Sequence, residues 1–289
     1  MRGSSATMGF CTWQVGLAFE NGTARALAVQ RRRQGWQLRQ WWQQNLPEAA
    51  RDGVGGSPPA GLERQLSAWR RQLPGRISLR VCLPAAELMH RRMAAPDNRL
   101  SEPEREWYIA AHARRHFPIG HEKLLLDYRR DPQAPDTLLV TAARQAAVEQ
   151  WLNCLERAGL VPDVLDIAPC ALRCMAGAAG LAPDRLLVHA SRAGWQWASP
   201  LAHPLEFGFI TVCEAPSLPA ARSLIDQRYR RGHGAGEPVY LSSDILRAPQ
   251  ADALPWSPFS ALWQAHPPMP AWPAAFTIAG GLAVRPGDA

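Results

Sequence analysis

The chain has 289 residues, 47% of them apolar, and carries a formal net charge of +7, a size that suits about two lobes around a substantial core. The charge does not make a nucleic-acid binder: Lys123 is the only lysine, and the arginines fall in scattered groups such as Arg91-Arg92, Arg129-Arg130 and Arg230-Arg231, with no interleaved aromatic platform. No run approaches the ~18–20 apolar residues of a membrane span. The start MRGSSATMGF lacks the apolar core of a signal peptide, and the six cysteines contain no CxxC pair, so a cytoplasmic protein with reduced thiols is expected.

Residues 1–8 are expected to be an extension or disordered start, with Met8 a second candidate initiator. Phe10–Phe19 and Ala24–Arg31 flank Asn21-Gly22, two residues that tolerate positive φ, and predict a β-hairpin. Trp36–Gln43 adds a third strand after the Gln34-Gly35 turn, and the Gly/Pro-rich stretch Asp52–Gly61 is a connection. Leu62, Leu66, Trp69 and Leu73 recur at helical spacing over Gly61–Leu73, and Ile77–Leu83 returns as a strand.

In the middle, Glu87–Met93 is a short strand. Ser101 and Glu104 form a capping box for a helix running to His116, stopped by Phe117-Pro118. Leu124–Tyr128 and Thr137–Thr141 are strands, Ala143–Ala158 a helix, Val164–Ile167 a strand and Pro169–Ala178 a helix. The last third offers strands at Arg185–Ala190, Gly194–Ala198, Leu205–Val212 and Val239–Leu241, with a helix at Leu218–Tyr229. An irregular Pro/Trp-rich stretch, Pro255–Pro273, precedes a closing helix, Phe276–Val284, whose Gly280 and Gly281 imply close contacts.

Few residues invite catalysis. Gly232–Gly236 (GHGAG) follows a helix and precedes a strand, the reverse of the order that points amides and a helix dipole at a phosphate. His112 and His116 sit at i, i+4 with His121 nearby, but no carboxylate pattern completes a metal site, and HEKLL at His121 lacks the second histidine of a zincin. Neither a GxSxG elbow nor a Walker loop is present. Cys170 and Cys174, one turn apart, suit packing better than metal.

Three runs are more distinctive: LPAAELMHRRMAAP at Leu83–Pro96, LSEPEREWYIAAHARRHFPIGHEKLLLDYR at Leu100–Arg129, and TLLVTAARQAAVEQWLNCLERAGLVPDVLDIAPCALRC at Thr137–Cys174. Together they resemble the PilM family of type IV pilus assembly proteins. The Trp-rich start (TWQVGLAF, RQWWQQNLP) and the ending FTIAGGLAVRPG resemble its HofM-like branch.

The resemblance implies an α/β, actin-like (ribonuclease-H-like) two-lobed fold with an inserted α/β subdomain. Residues 9–84 plus 162–178 would form the first lobe, 85–161 the insertion, and 180–289 a shortened second lobe. It also implies a non-enzymatic cytoplasmic adaptor at the inner face of the cytoplasmic membrane. Its partner would be the cytoplasmic N-terminal tail of an inner-membrane PilN/HofN-like protein, in a pilus or DNA-uptake apparatus. Self-association stays open.

In nucleotide-binding members the first hairpin carries a metal-side Asp and small turn residues. Here the positions of that cleft are Gly16, Ala18, Asn21 and Thr23, with Glu20 replacing a Gly; His189 stands at the second acid, and Ser242 and Ser243 replace the adenosine-site glycines. Losing the Asp removes a metal-side ligand, and a carboxylate beside phosphates is unfavourable. No cofactor and no metal are therefore expected, weakly bound ATP being the alternative. By the same resemblance the partner tail lies between the first lobe and the insertion. The residues proposed to line that groove are Met89, Tyr108, Ile109 and Phe117 as apolar surface, with Arg91 or Arg92 orienting the peptide; Ile109 and Phe117 equally suit the insertion's own core.

Overall fold

The computed structural model describes residues 12–20, 22–46, 57–82, 88–97, 99–117, 123–131, 134–229, 237–246, 248–264 and 268–286. In chain order the elements are β1 (Trp13–Glu20), β2 (Thr23–Arg32), β3 (Gly35–Asn45), α1 (Leu62–Arg70), β4 (Ile77–Cys82), β5 (Leu88–Ala94), α2 (Glu104–His116), β6 (Leu124–Asp131), β7 (Ala134–Arg144), α3 (Gln145–Arg157), β8 (Val164–Asp166) and α4 (Ala168–Ala178). The second half adds β9 (Leu187–Ser191), β10 (Gly194–Ala198), β11 (Phe207–Thr211), α5 (Leu218–Arg228), β12 (Val239–Ser243), β13 (Ala253–Pro255), β14 (Leu262–Gln264) and α6 (Thr277–Val284).

Three sheets result. The first has the order β14-β3-β2-β1-β4-β8: an antiparallel meander from β1 to β3, then β4 and β8 added parallel on the other side of β1. The second, β11-β10-β9-β12-β13, repeats that plan, with β9 in the place of β1. The third, β5-β7-β6, is antiparallel throughout and comes from the stretch between β4 and β8.

β1 is buried on both faces because helices cover both. Val15, Leu17 and Phe19 point into a core built with Leu62, Leu66 and Trp69 of α1 and with Val148, Trp151 and Leu155 of α3. The alternate positions turn the other way, where Ala18 joins α4 and α6. That second core also includes Leu187 and Ala198 of the second sheet, so α4 and α6 glue the two large sheets together. Arg173 of α4 strengthens the joint by donating to Ser199 Oγ and to the carbonyls of Leu201 and His203, each at 2.9 Å.

The Pro/Trp-rich segment, expected to be irregular, contributes β14, which pairs with β3, and 3-10 turns at Pro258–Ala261 and Pro273–Phe276. Gly22 of the first hairpin adopts φ 72°, as the Asn-Gly reading requires.

Candidate functional site

Two regions could carry function: the cleft between the two large sheets, and the groove beside the third.

The cleft-side end of β1 and β2 meets the cleft-side end of β9 and β12. Gly16, Ala18 and Glu20 share one face of β1. At Gly16 an added Cβ would lie 2.0 Å from the Ala279 carbonyl oxygen and 2.5 Å from the Ala283 nitrogen, so this glycine serves the packing of α6. Ala18 is 1% exposed and part of the same core. Neither lines a ligand-accessible surface, which corrects their placement in a nucleotide cleft. Thr23 is buried at the hairpin end, opposite Glu20 on β1 and Asn45 on β3. Asn21 lies outside the described residues, as do His121 and Gly232–Gly236.

His189 and Ser242 do come together. They are register partners on β9 and β12, and His189 Nδ1 lies 2.7 Å from Ser242 Oγ. His189 Nε2 faces Glu20 Oε1 at 3.2 Å across the cleft. Arg25, next to Glu20 in the hairpin, reaches Asp244 Oδ2 at 3.3 Å and Glu20 Oε2 at 4.0 Å. Ser243 holds the end of β12 in shape, since its Oγ donates to the Ala190 carbonyl and accepts from the amides of Ile245 and Leu246.

The electrostatics follow from this pairing. Burial raises the Glu20 carboxyl, but His189 and Arg25 outweigh it and hold the group below the usual carboxylate range. Burial lowers the His189 imidazole, but Glu20 and then Asp244 outweigh that and raise it. A serine, a histidine and a glutamate in a row resemble a hydrolytic relay. However, Ser242 and His189 are each 1% exposed, and the serine meets the imidazole from the interior of the sheet. The arrangement joins lobe to lobe, through Glu20–His189 and Arg25–Asp244. Sequence reasoning does not find Glu20, Arg25 and Asp244 as a set, although an acid and a base flanking a two-residue hairpin turn must end up on neighbouring strands.

The groove is set by strand alternation in the third sheet. One face carries Met89, Met93, Leu138, Val140, Leu126 and Tyr128, and it is covered by α2 through Ile109, Ala113 and Phe117. The opposite face looks toward the first lobe. There a cavity of about 210 Å³ is lined by Leu88, Leu125, Leu139, Leu165, Ile167 and Phe207 among others, drawing walls from the insertion, from β8–α4 and from β11. Leu125 and Leu165 are exposed at its rim, at 44% and 40%. β6 is the outer strand of its sheet.

This geometry corrects several expected groove residues. Ile109 and Phe117 are 1% and 4% exposed inside the insertion's own core and offer no surface. Met89 packs half-buried on the same side, and Tyr108 stacks on His112 at 3.9 Å. Arg91 is exposed, one position out of step with the groove-facing residues. Arg92 is on the groove-facing side of β5, but its guanidinium is engaged, 2.9 Å from Glu206 and 3.5 Å from Asp131. With the Arg129 bond to the Leu205 carbonyl at 2.7 Å and the His90–Phe207 ring contact at 4.4 Å, Arg92 ties the insertion to the second lobe. The alternation in LLLDYRRD, with Leu125, Asp127 and Arg129 on one side, is the signal in the sequence that marks the groove face.

Among the described residues no group of three or more His, Cys, Asp or Glu side chains could hold a metal, and no helix is long and apolar enough to cross a membrane. Cys170 at the groove wall is a half-buried thiol pushed up to about 12 by burial and then by Asp166, which disfavours the reactive thiolate.

Two sheets with one repeated strand plan, joined by two helices and carrying an inserted subdomain, define an actin-like two-lobed protein. Residues 16–185 match the model of the family described as type IV pilus assembly protein PilM. The chain belongs to that family. It is 28% identical over 151 residues to the DNA utilization protein HofM of Escherichia coli (strain K12), a stretch spanning 52% of this chain and only 58% of that relative. A solved PilM–PilN type IV pilus biogenesis complex superposes with a TM-score of 0.70 at 20% identity, covering 94% of this chain and 99% of the other. The cytoplasmic domain of EpsL, an inner-membrane component of the type II secretion system of Vibrio cholerae, gives 0.59 at 11% identity, covering 86% and 92%.

Proposed function

We propose that the protein is a non-enzymatic adaptor on the cytoplasmic face of the inner membrane, holding the cytoplasmic N-terminal tail of a PilN-like (HofN-like) membrane protein in a type IV pilus or DNA-uptake apparatus. The observation that carries this reading is the apolar groove between the insertion and the first lobe, beside the outer edge of β6. An extended peptide there can fill the pocket with alternate side chains and bond its backbone to the outer strand. Ordering a flexible tail opposes binding, so anchors in a pocket are needed rather than charge alone. Family membership and the likeness to a PilM–PilN complex support the choice of partner.

Residual nucleotide binding is the second reading. The close-packed Gly16 and the paired Glu20 weigh against it, since a phosphate would have to displace an ion pair and approach a carboxylate. The test is titration of a labelled partner-tail peptide into wild type, Leu125→Glu and Leu165→Asp, with Trp107→Glu on α2 as a control. Loss of at least ~10-fold in affinity, about 1.4 kcal/mol, is expected in the two groove variants only. Equal affinity in all four proteins refutes the groove.

A further inference from the structure

The cleft cluster has a symmetry of charge that the adaptor reading does not use. Each lobe supplies one acid and one base: Glu20 and Arg25 from the β1–β2 hairpin, His189 and Asp244 from β9 and the end of β12. The close pairs cross between lobes, Glu20 with His189 at 3.2 Å and Arg25 with Asp244 at 3.3 Å. Their side chains are between 1% and 12% exposed. Trp272, on the 3-10 segment leading to α6, adds a neutral tie by donating from Nε1 to the Ser243 carbonyl at 2.8 Å.

We infer that this four-charge cluster is by itself sufficient to hold the two lobes shut, a latch that loosens when His189 gives up its proton.

Buried charges are tolerated where each has a partner, and removing one partner leaves the other stranded. With an imidazolium at position 189 the cluster holds two positive and two negative charges and is neutral. Nδ1–H then donates to Ser242 Oγ and Nε2–H to Glu20. With neutral imidazole these four groups carry one excess negative charge, and Glu20 loses the cation 3.2 Å from it while Arg25 stands 4.0 Å away. Among the described residues, the groups acting on His189 are Glu20 on β1, Arg25 on β2, Ser242 on β12 and Asp244 beyond it; the Cys82 thiol on β4, raised by burial and then by Glu20, stays protonated. Opening is feasible because each lobe keeps an internal acid–base pair: Glu20 and Arg25 lie 4.0 Å apart, and Asp244 already acts on His189 within the second lobe. The upward displacement of His189 and the downward displacement of Glu20 agree with a charged pair in the closed form.

The experiment is single-molecule energy transfer in the full chain. Dyes are placed by unnatural amino acids at Asn45 and Arg192, exposed positions on the two lobes at the cleft-side ends of β3 and β9. Wild type at about pH 6 should give one high-efficiency peak, unmoved by millimolar magnesium-ATP, and a second, lower-efficiency peak should grow in as pH rises toward about 9. Glu20→Gln should populate the second peak already at about pH 6, and His189→Gln should remove the pH dependence. A wild-type peak that stays single over that whole range overturns the latch, and this needs no variant to fold. So does a Glu20→Gln protein indistinguishable from wild type, or a wild-type peak shifted by ATP. Tail binding at the groove is a separate readout, so either reading can fail without the other.

Discussion

Gly281 of α6 meets Ala171 of α4 so closely that an added Cβ would stand 1.8 Å from the alanine's carbonyl oxygen. The obstacle is backbone, which cannot rotate aside. On the other side of the same helix Gly16 of β1 is as tight against the Ala279 carbonyl. Gly281→Ala and Gly16→Ala should therefore each cost at least about 1–3 kcal/mol through overpacking. Gly75→Ala, with nothing within 4 Å, should fall within ~0.5 kcal/mol of wild type. Urea unfolding of the three variants checks this; a stable Gly281→Ala protein would contradict the packing.

Arg92 and Arg91 are neighbours with opposite roles. Arg92→Ala removes the cation shared by Asp131 and Glu206, of which Asp131 is almost wholly buried, and should lower stability by about 1–3 kcal/mol once partial solvent screening is allowed for. Arg91→Ala should change it by less than ~0.5 kcal/mol. Thermal melts of both variants decide; equal effects would mean that the tie between insertion and second lobe is not electrostatic.

Millimolar magnesium-ATP should leave the melting temperature unchanged. A ligand present at a hundred times its dissociation constant would stabilise the fold by about 2.7 kcal/mol, so a shift of several degrees would be visible and would restore the nucleotide reading.

Stability should decline on both sides of a maximum near about pH 6–7. On the acid side His90 is held down to about 4 by burial and then by Arg129, Arg92 and Arg91, with Phe207 and Thr141 against its ring. Its folded form resists a proton that the unfolded chain accepts below about 6.5, so stability is lost as pH falls from there toward 4. His189, raised in the fold, contributes fully below its unfolded value and loses that contribution as pH climbs through its folded one. His90→Phe should flatten the acid limb and His189→Gln the alkaline limb in melts recorded across pH.

The sequence is informative where a residue type dictates backbone: Gly22 at the hairpin, the α1 and α3 stripes, and the glycine pair of α6. It is poor where partners are remote. Glu20 looks like a carboxylate out of place because its counter-charge lies far along the chain at His189. The groove residues are hard to choose because one step along a strand changes which body a side chain meets. Leu88 and Met89 thus face different cores. β14 is invisible in the sequence, being three residues long and edge-paired within a Pro/Trp-rich stretch.

The position of α6 constrains how the protein can be made. Its residues, 277–284, are needed to cover Gly16, Ala18 and the Ala171–Met175 face of α4. As the chain leaves the ribosome, β1 and β2 must wait for everything that lies between them and α6 before that surface is closed. Until then a strip of apolar β1, β2 and α4 is open to wrong neighbours, the situation in which long-range contacts slow folding and nascent chains depend on chaperones.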